Sequence, residues 1–567
     1  MALVLVAPPN LLATHASQLM TSVLAFFALF AMQPRLAVWL LVLLIPAALL
    51  ETLYVLRYER ATDEHVLSIL AETNIQEAIS WLGMAGGVFL LVGLAGVLVV
   101  AHVMRRFQWS QFQSPMRWRL IFVLAGGMAI MAIQLPDVVD LDQDLSLKTF
   151  GPVLAAAHTV SVHSGNPIDE NLLGSPMMSS LSEVFPWGVP LRIKRYLALH
   201  SGMKEARQAL AEFRFGAAQS PARAGDEVYI LVIGETGRPD RWQLNGYGRP
   251  TNPRLSKVKG VVSFTNAITG WAWTRMSVPT IISRKPPQMS AAFFPEHSVV
   301  GAFREAGFWT AWYSMHGALG FQESAVALYA DAADDVRYIN PAGYLSPGVH
   351  DEALLVQLDT ALARPERKKF IVLHTMGSHF NYAHRYPAAF DVFVPSLKNR
   401  RDADLYDRAQ REELNNSYDN SIRYTDHVLA EMISRLEAAG HSAALLYVAD
   451  HGENIFDGEC DKSGHGQNTI YDFRIAALWW NSTAYTFNYP EKSMQAIAQR
   501  DAPWSTSNVF HLLLDAAGIT YPGAEPENSL LSPTYTPRPR WTQAGVSFDM
   551  AEFDPVCNKL TSTQTPR

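Results

Sequence analysis

Three short stretches place reactive side chains directly after apolar runs. Glu235 and Thr236 follow EVYILVIG; His374 and His379 lie in LHTMGSH after KKFIV; Asp450 and His451 lie in VADHGEN after AALLY. A single acid at the end of a strand is ordinarily a cap for the next helix. Three clusters of carboxylate and imidazole at three strand ends can instead surround one metal ion, and that mixed donor set suits zinc, which binds four ligands and keeps an exchangeable position when catalytic. Such a centre acts on a hydroxyl by lowering its pKa. Thr236 is the first candidate. A second lies in ITGWAWTRMSVPTIISR, where Thr274 is expected in a turn before Ser277-Val278-Pro279, a combination that opens a helix. The positive end of that helix favours a phosphate near Thr274. Spacing alone does not choose Thr274 over Thr269 or Ser277.

The elements that must carry these residues are short apolar runs alternating with helical patterns. The runs are 227–234, 308–315, 368–375, 443–450 and 473–481; the segment 411–440 has helical period and a terminal glycine. Strands separated by helices imply a largely parallel sheet covered on both faces, with ligands at the carboxyl ends of the strands.

The first quarter of the 567-residue chain is different. Residues 16–34, 36–56, 83–104 and 119–136 are long apolar runs, each about the length of a bilayer span. The loop 105–119 has arginines and no acids, which places it in the cytoplasm and everything after about 137 outside. Glu51 and His102 sit near span ends, where they can reach the interface. Residues 64–81 read as an amphipathic helix on the outer membrane surface, with Val66, Ile69, Leu70, Thr73 and Glu77 at helical spacing. The resulting division is a transmembrane bundle at 1–140, a linker and surface helix at 141–225, with a helical pattern at 191–215, and a catalytic domain at 226–567. A net charge of −7 excludes the basic face expected of a nucleic-acid partner. The only cysteines, Cys460 and Cys557, allow one bridge, which pins the tail near the loop of His465.

Taken in order, GETGRPDRWQLNGYGRPTNPRL, TRMSVPTIISR, LHTMGSHFNYAHRYP, NNSYDNSIRYTDHVL and YVADHGEN resemble the phosphoethanolamine transferases that modify lipopolysaccharide, relatives of the mobile colistin-resistance enzymes. The resemblance implies an α-helical transmembrane bundle followed by an α/β domain of alkaline phosphatase and sulfatase type. It assigns Glu235, Thr274, Asp450 and His451 to a zinc site, with Thr274 the residue that becomes covalently modified and Thr236 left as a helix-capping hydroxyl. His379 and His465 fall on histidines that contact the phosphoryl group or move protons; His374 and His384 have no assigned role. Thr73 and Glu77 fall where the ethanolamine head group is held, although Ile69 replaces the family's asparagine. The implied reaction moves phosphoethanolamine from phosphatidylethanolamine to lipid A or another part of lipopolysaccharide, by a monomer in the inner membrane with its catalytic domain in the periplasm. The rivals are a phosphoglycerol transferase of the same fold and a catalytically silent membrane-anchored binding protein. Sulfatase chemistry is disfavoured, because Arg275 and Met276 follow Thr274 where an activation motif Cys/Ser-x-Pro-x-Arg is required.

Overall fold

The computed structural model describes residues 34–58, 75–106 and 188–560, together with 30, 62, 66 and 67, and apart from 222, 224, 290–293, 317–324, 341–348 and 544. Two compact units are distinguished, Met1–Ala71 with Met84–Ala198 and Glu72–Gly83 with Leu199–Arg567.

In the first unit, helix α1 (Pro34–Tyr58) covers the expected span 36–56. Helix α2 (Ile75–Arg106) runs without interruption from within the expected surface helix 64–81 through the span 83–104, its residues up to Gly83 belonging to the second unit. The separation expected near residue 82 is therefore absent: no proline lies between 75 and 106 to end the helix. Among the described residues no helix is long and apolar enough to cross a membrane. The expected spans 16–34 and 119–136 lie outside the described residues, but for Phe30 and Pro34 in the first, as do Thr73 and the side chain of Glu77. Gly93 and Gly96 of α2 approach Leu49 and Ile45 of α1 so closely that an added Cβ would lie 2.9 and 3.3 Å from them. Small residues allow helix backbones this proximity. Glu51 does not reach outward to an interface. It is buried and accepts from Arg192 Nη1 at 2.9 Å and from Thr62 Oγ1 at 2.7 Å, because a buried carboxylate requires partners. Arg192 belongs to α3 (Gly188–Glu212).

The second unit is built on seven strands: β1 (Glu227–Gly234), β2 (Val262–Phe264), β3 (Trp309–Ser314), β4 (Asp335–Tyr338), β5 (Lys368–His374), β6 (Ser442–Ala449) and β7 (Ala477–Asn481). Their order is β2-β7-β6-β1-β5-β3-β4. The five strands from β6 to β4 are parallel, and β7 is antiparallel to both of its neighbours, so the sheet is mixed. The expected strand 473–481 is shorter, since Ile470–Phe473 forms a helical turn opened by a Thr469 capping box. Edge strands β2 and β4, three and four residues long, carry no run that marks them in the sequence.

Every residue of β1 is buried, and alternate residues feed two separate cores. Tyr229, Leu231 and Ile233 pack with Val278, Ile281 and Ile282 of α4 (Thr274–Ile282). Val228, Ile230 and Val232 pack with Leu354 and Leu358 of α5 (Ala353–Leu362) and with Ile422, Leu429 and Ile433 of α6 (Arg411–Ala438). Two-sided burial explains why β1 reads as a continuous apolar run rather than an alternation. Each such side chain contributes about 1.5–3 kcal/mol by leaving water. After α6, Gly440 takes φ +69°, the left-handed conformation in which a helix commonly stops.

Candidate functional site

Register brings the first ligands together. Gly234 of β1 lies opposite Ala449 of β6, so Glu235 and Asp450 leave the sheet side by side. The backbone then locks the pair: Asp450 N–H donates to Gly234 O at 2.9 Å, and Asp450 Oδ1 accepts from the N–H groups of Thr236 at 3.1 Å and His451 at 2.7 Å. Glycine is required beneath them, because a Cβ at Gly234 would collide with the buried phenol end of Tyr447.

His451 Nδ1 lies 2.9 Å from Gly452 O, which orients Nε2 toward Glu235 Oε1 at 3.3 Å and Asp450 Oδ2 at 3.5 Å. Thr274, at the start of α4, donates its hydroxyl to Glu235 Oε2 at 3.0 Å and stands 3.4 Å from His451 Nε2. Glu235, Asp450 and His451 are at most 1% exposed, and one donor atom from each lies within 4.8 Å of the others. Glu235 Oε1 and Asp450 Oδ2 are buried without a hydrogen-bond partner. Two orphaned carboxylate oxygens beside an imidazole nitrogen are costly unless a cation accepts them, so this donor set fits a metal ion.

Burial and mutual charge shift all three groups. Burial pushes Asp450 up, reinforced by the Glu235 charge. Burial opposes ionisation of Glu235 too, but His451 outweighs it and holds that carboxyl well below its usual range. His451 is raised despite its burial, by Asp450 and Glu235.

Two threonines differ from expectation in their local structure. Thr274 is not in a turn before the helix; it is the first residue of α4, with Trp273 as the N-cap. Thr236 caps nothing. It adopts φ +51°, its hydroxyl is buried without a hydrogen-bond partner, and the next helical turn, Pro239–Arg241, has Arg238 as its N-cap with no side-chain cap bond. Its backbone is what the site uses: the N–H on Asp450 and the carbonyl, which accepts from Tyr418 Oη at 2.5 Å.

His379 and His465 stand at the rim, their ring centres 6.5 Å apart, and the His465 ring is 4.4 Å from that of His451. His379 follows β5, and burial holds its imidazole down at about 3, so it is neutral at physiological pH. Its Nδ1 lies 2.6 Å from Phe380 O, leaving Nε2 as an acceptor. His465 is 35% exposed, with Nδ1 3.5 Å from the buried Glu453 carboxylate. Glu453 escaped the sequence reading, though DHGEN puts it two residues beyond His451. His316 escaped as well: its Nε2 lies 2.8 Å from Thr375 O and 3.8 Å from Glu235 Oε2, and its ring stacks at 3.9 Å on the buried His374. Cys460 and Cys557 are bonded, closing a separation of 97 residues beside the His465 loop.

Comparisons with known proteins agree with this geometry. A family model described as Sulfatase matches residues 227–519. The phosphoethanolamine transferase EptC of Escherichia coli K12 is 24% identical over 524 residues, covering 88% of this chain and 83% of its own. The phosphoethanolamine transferase CptA of Salmonella typhimurium is 26% identical, with the same coverage. Among solved structures, the periplasmic domain of Escherichia coli EptC in complex with Zn is similar with a TM-score of 0.53 at 25% identity, covering 60% of this chain and 98% of that one. The integral membrane protein phosphoethanolamine transferase A of Neisseria meningitidis shares the fold with a TM-score of 0.63 at 19% identity, covering 89% and 87%. With a mixed α/β sheet, a strand-end cluster of acid and imidazole, and a family match across more than half its length, the chain belongs to the sulfatase family.

Proposed function

We propose that the chain is a phosphoethanolamine transferase, anchored in the bacterial inner membrane, that moves phosphoethanolamine from phosphatidylethanolamine to lipid A or another part of lipopolysaccharide. The observation that carries this reading is the Thr274 hydroxyl, hydrogen-bonded to Glu235 at 3.0 Å beside two unpartnered carboxylate oxygens at the head of a helix. Membership of the sulfatase family sets the fold and not the reaction, and the residues after Thr274 lack the sulfatase activation motif. The names of the relatives support transfer.

Glu235, Asp450, His451 and Thr274 would hold zinc. Bound zinc supplies positive charge that acidifies the threonine hydroxyl and offsets charge on the phosphoryl oxygens. In the first half-reaction the Thr274 hydroxyl passes its proton to Glu235 Oε2, to which it is hydrogen-bonded, as its oxygen attacks the phosphorus of phosphatidylethanolamine. The bond from phosphorus to the glyceryl oxygen breaks, and His465, oriented by Glu453, protonates the departing diacylglycerol. In the second, His379 Nε2 accepts the proton of an acceptor hydroxyl or phosphate as that oxygen attacks the phosphorus, and the Thr274 oxygen leaves, taking its proton back from Glu235. One histidine about one-third exposed and paired with an acid, and another kept neutral by burial, suit these opposite duties.

Membrane anchoring is supported by α2, whose Val88, Leu90, Leu91, Val92, Leu94, Leu98 and Val99 are 50–69% exposed, a density of apolar surface that water does not tolerate and lipid does. We further assign a multi-pass topology with the catalytic unit in the periplasm, and Thr73 and Glu77 to the ethanolamine ammonium.

The test is full-length protein in vesicles of head-group-labelled phosphatidylethanolamine with lipopolysaccharide. The expected results are label on the acceptor and a mass increment of one phosphoethanolamine on the Thr274 peptide. Label transferred at the normal rate by Thr274→Ala would overturn the mechanism, and transfer from phosphatidylglycerol alone would overturn the substrate.

A further inference from the structure

Asp351 lies in VHDEALL, directly before Glu352, the N-cap residue of α5, where a short acid reads as a cap for the helix that follows. It does not do so: α5 begins without any side-chain cap bond. The Asp351 carboxylate, 5% exposed, is turned the other way, and it accepts the N–H of Met376 on Oδ1 at 2.8 Å and the N–H of Gly377 on Oδ2 at 2.9 Å. Both donors belong to the turn between β5 and His379.

The opposite side of that turn lies on Glu235. Ser378 N–H donates to Glu235 O at 3.0 Å and Thr375 N–H to Ile233 O at 3.0 Å. Gly377 has φ +47°, and a Cβ there would come within 2.8 Å of the Glu235 carbonyl oxygen. The turn is thus held between a carboxylate and the backbone of a proposed metal ligand, and it delivers His379, whose N–H donates to Met376 O at 3.2 Å and whose carbonyl accepts from Arg385 Nε at 2.8 Å. The charged or titratable groups acting on Asp351 are His316, Arg385, Tyr424 and Tyr447.

We infer that Asp351 is a positioning residue that acts through His379: its carboxylate locks the 375–378 turn onto the Glu235 backbone and thereby fixes where the His379 imidazole stands relative to Thr274. The inference rests on the role given to His379 above. A carboxylate is required because both oxygens accept; an amide in its place turns a donor toward one of the two N–H groups.

The test is a double-mutant cycle on the full chain with Asp351→Asn, His379→Ala and both together, followed by transfer kinetics, zinc content and the rate at which diethyl pyrocarbonate modifies each histidine. Asp351→Asn is expected to lower kcat by about 10- to 100-fold, the scale of a reacting group displaced by an ångström. KM for phosphatidylethanolamine and zinc content stay unchanged, and His379 but not His465 is modified faster. The double variant is expected to be no slower than His379→Ala. Gly377→Ala, which crowds the same turn from the Glu235 side, should reproduce the pattern, and it serves if Asp351→Asn melts before it can be assayed. Losses that add in the cycle, or an unchanged modification rate at His379, overturn the inference. If the wild-type chain transfers no phosphoethanolamine the functional reading falls, while the modification rates still decide the positioning.

Discussion

The site has two halves made by different means. Glu235, Asp450 and His451 sit at the ends of adjacent parallel strands, buried to 1% exposure or less, and the register of β1 with β6 places them together. His379 and His465 ride on loops; one needs the Asp351 and Arg385 contacts and the other faces Glu453. A sheet positions several groups at once because its hydrogen-bond ladder is common to all of them. A loop residue has to be anchored individually, so the loop half should be the easier one to damage without unfolding the protein.

The largest effect is expected in the strand-end half. Glu235→Gln or Asp450→Asn should lose bound zinc and lower transfer by at least about 10³-fold, since each removes a charge from a water-excluded cluster; metal analysis with activity measures both, and full zinc content in either variant would break the assignment. In the loop half, His379→Ala and His465→Ala should each cost roughly 10²- to 10⁴-fold, the usual range for proton transfer, with zinc retained. His379→Ala should also accumulate modified Thr274, because only its second half-reaction stalls. Intact-mass measurement reads this, and equal accumulation in both variants would erase the distinction between the two histidines.

A smaller loss should follow paired Cys460→Ser and Cys557→Ser changes. Opening a 97-residue separation should cost about 2–5 kcal/mol of stability, measured by denaturant titration, with the metal cluster preserved. The smallest effect concerns the scaffold. Burial holds His511 of α7 (Val509–Ala516) down at about 4. A histidine whose folded pKa lies below its unfolded value of about 6.5 stabilises the fold above that value, and this contribution is lost as pH falls from about 6.5 to about 4. Melting temperatures should decline over that window, less steeply in His511→Gln, with Thr274 modification at neutral pH unaffected.

The comparison also explains what could be read from the chain itself. The strands of the parallel core were legible because burial on both faces leaves an unbroken apolar run, as in β1, and the acids directly after them were legible as strand-end residues. The short edge strands β2 and β4 have no such signature. The continuity of α2 across residue 82 was hidden for another reason: a change in amphipathic character looks like a helix end when nothing physical ends the helix.

Side-chain convergence was decided only by the tertiary structure. Thr236 and Thr274 are both threonines near strand or helix boundaries, and no local pattern distinguishes them. The fold turns Thr236 inward at φ +51° and brings the Thr274 hydroxyl to Glu235 across 39 residues of sequence. Asp351, Glu453 and His316 were invisible for the same reason, their partners being 25, 12 and 59 residues away. Periodicity is a property of neighbouring residues, so the sequence by itself determines the elements and the kinds of group at their ends. Which of those groups meet depends on strand register and on loop backbones held by distant side chains, and those contacts exist only once the chain has folded.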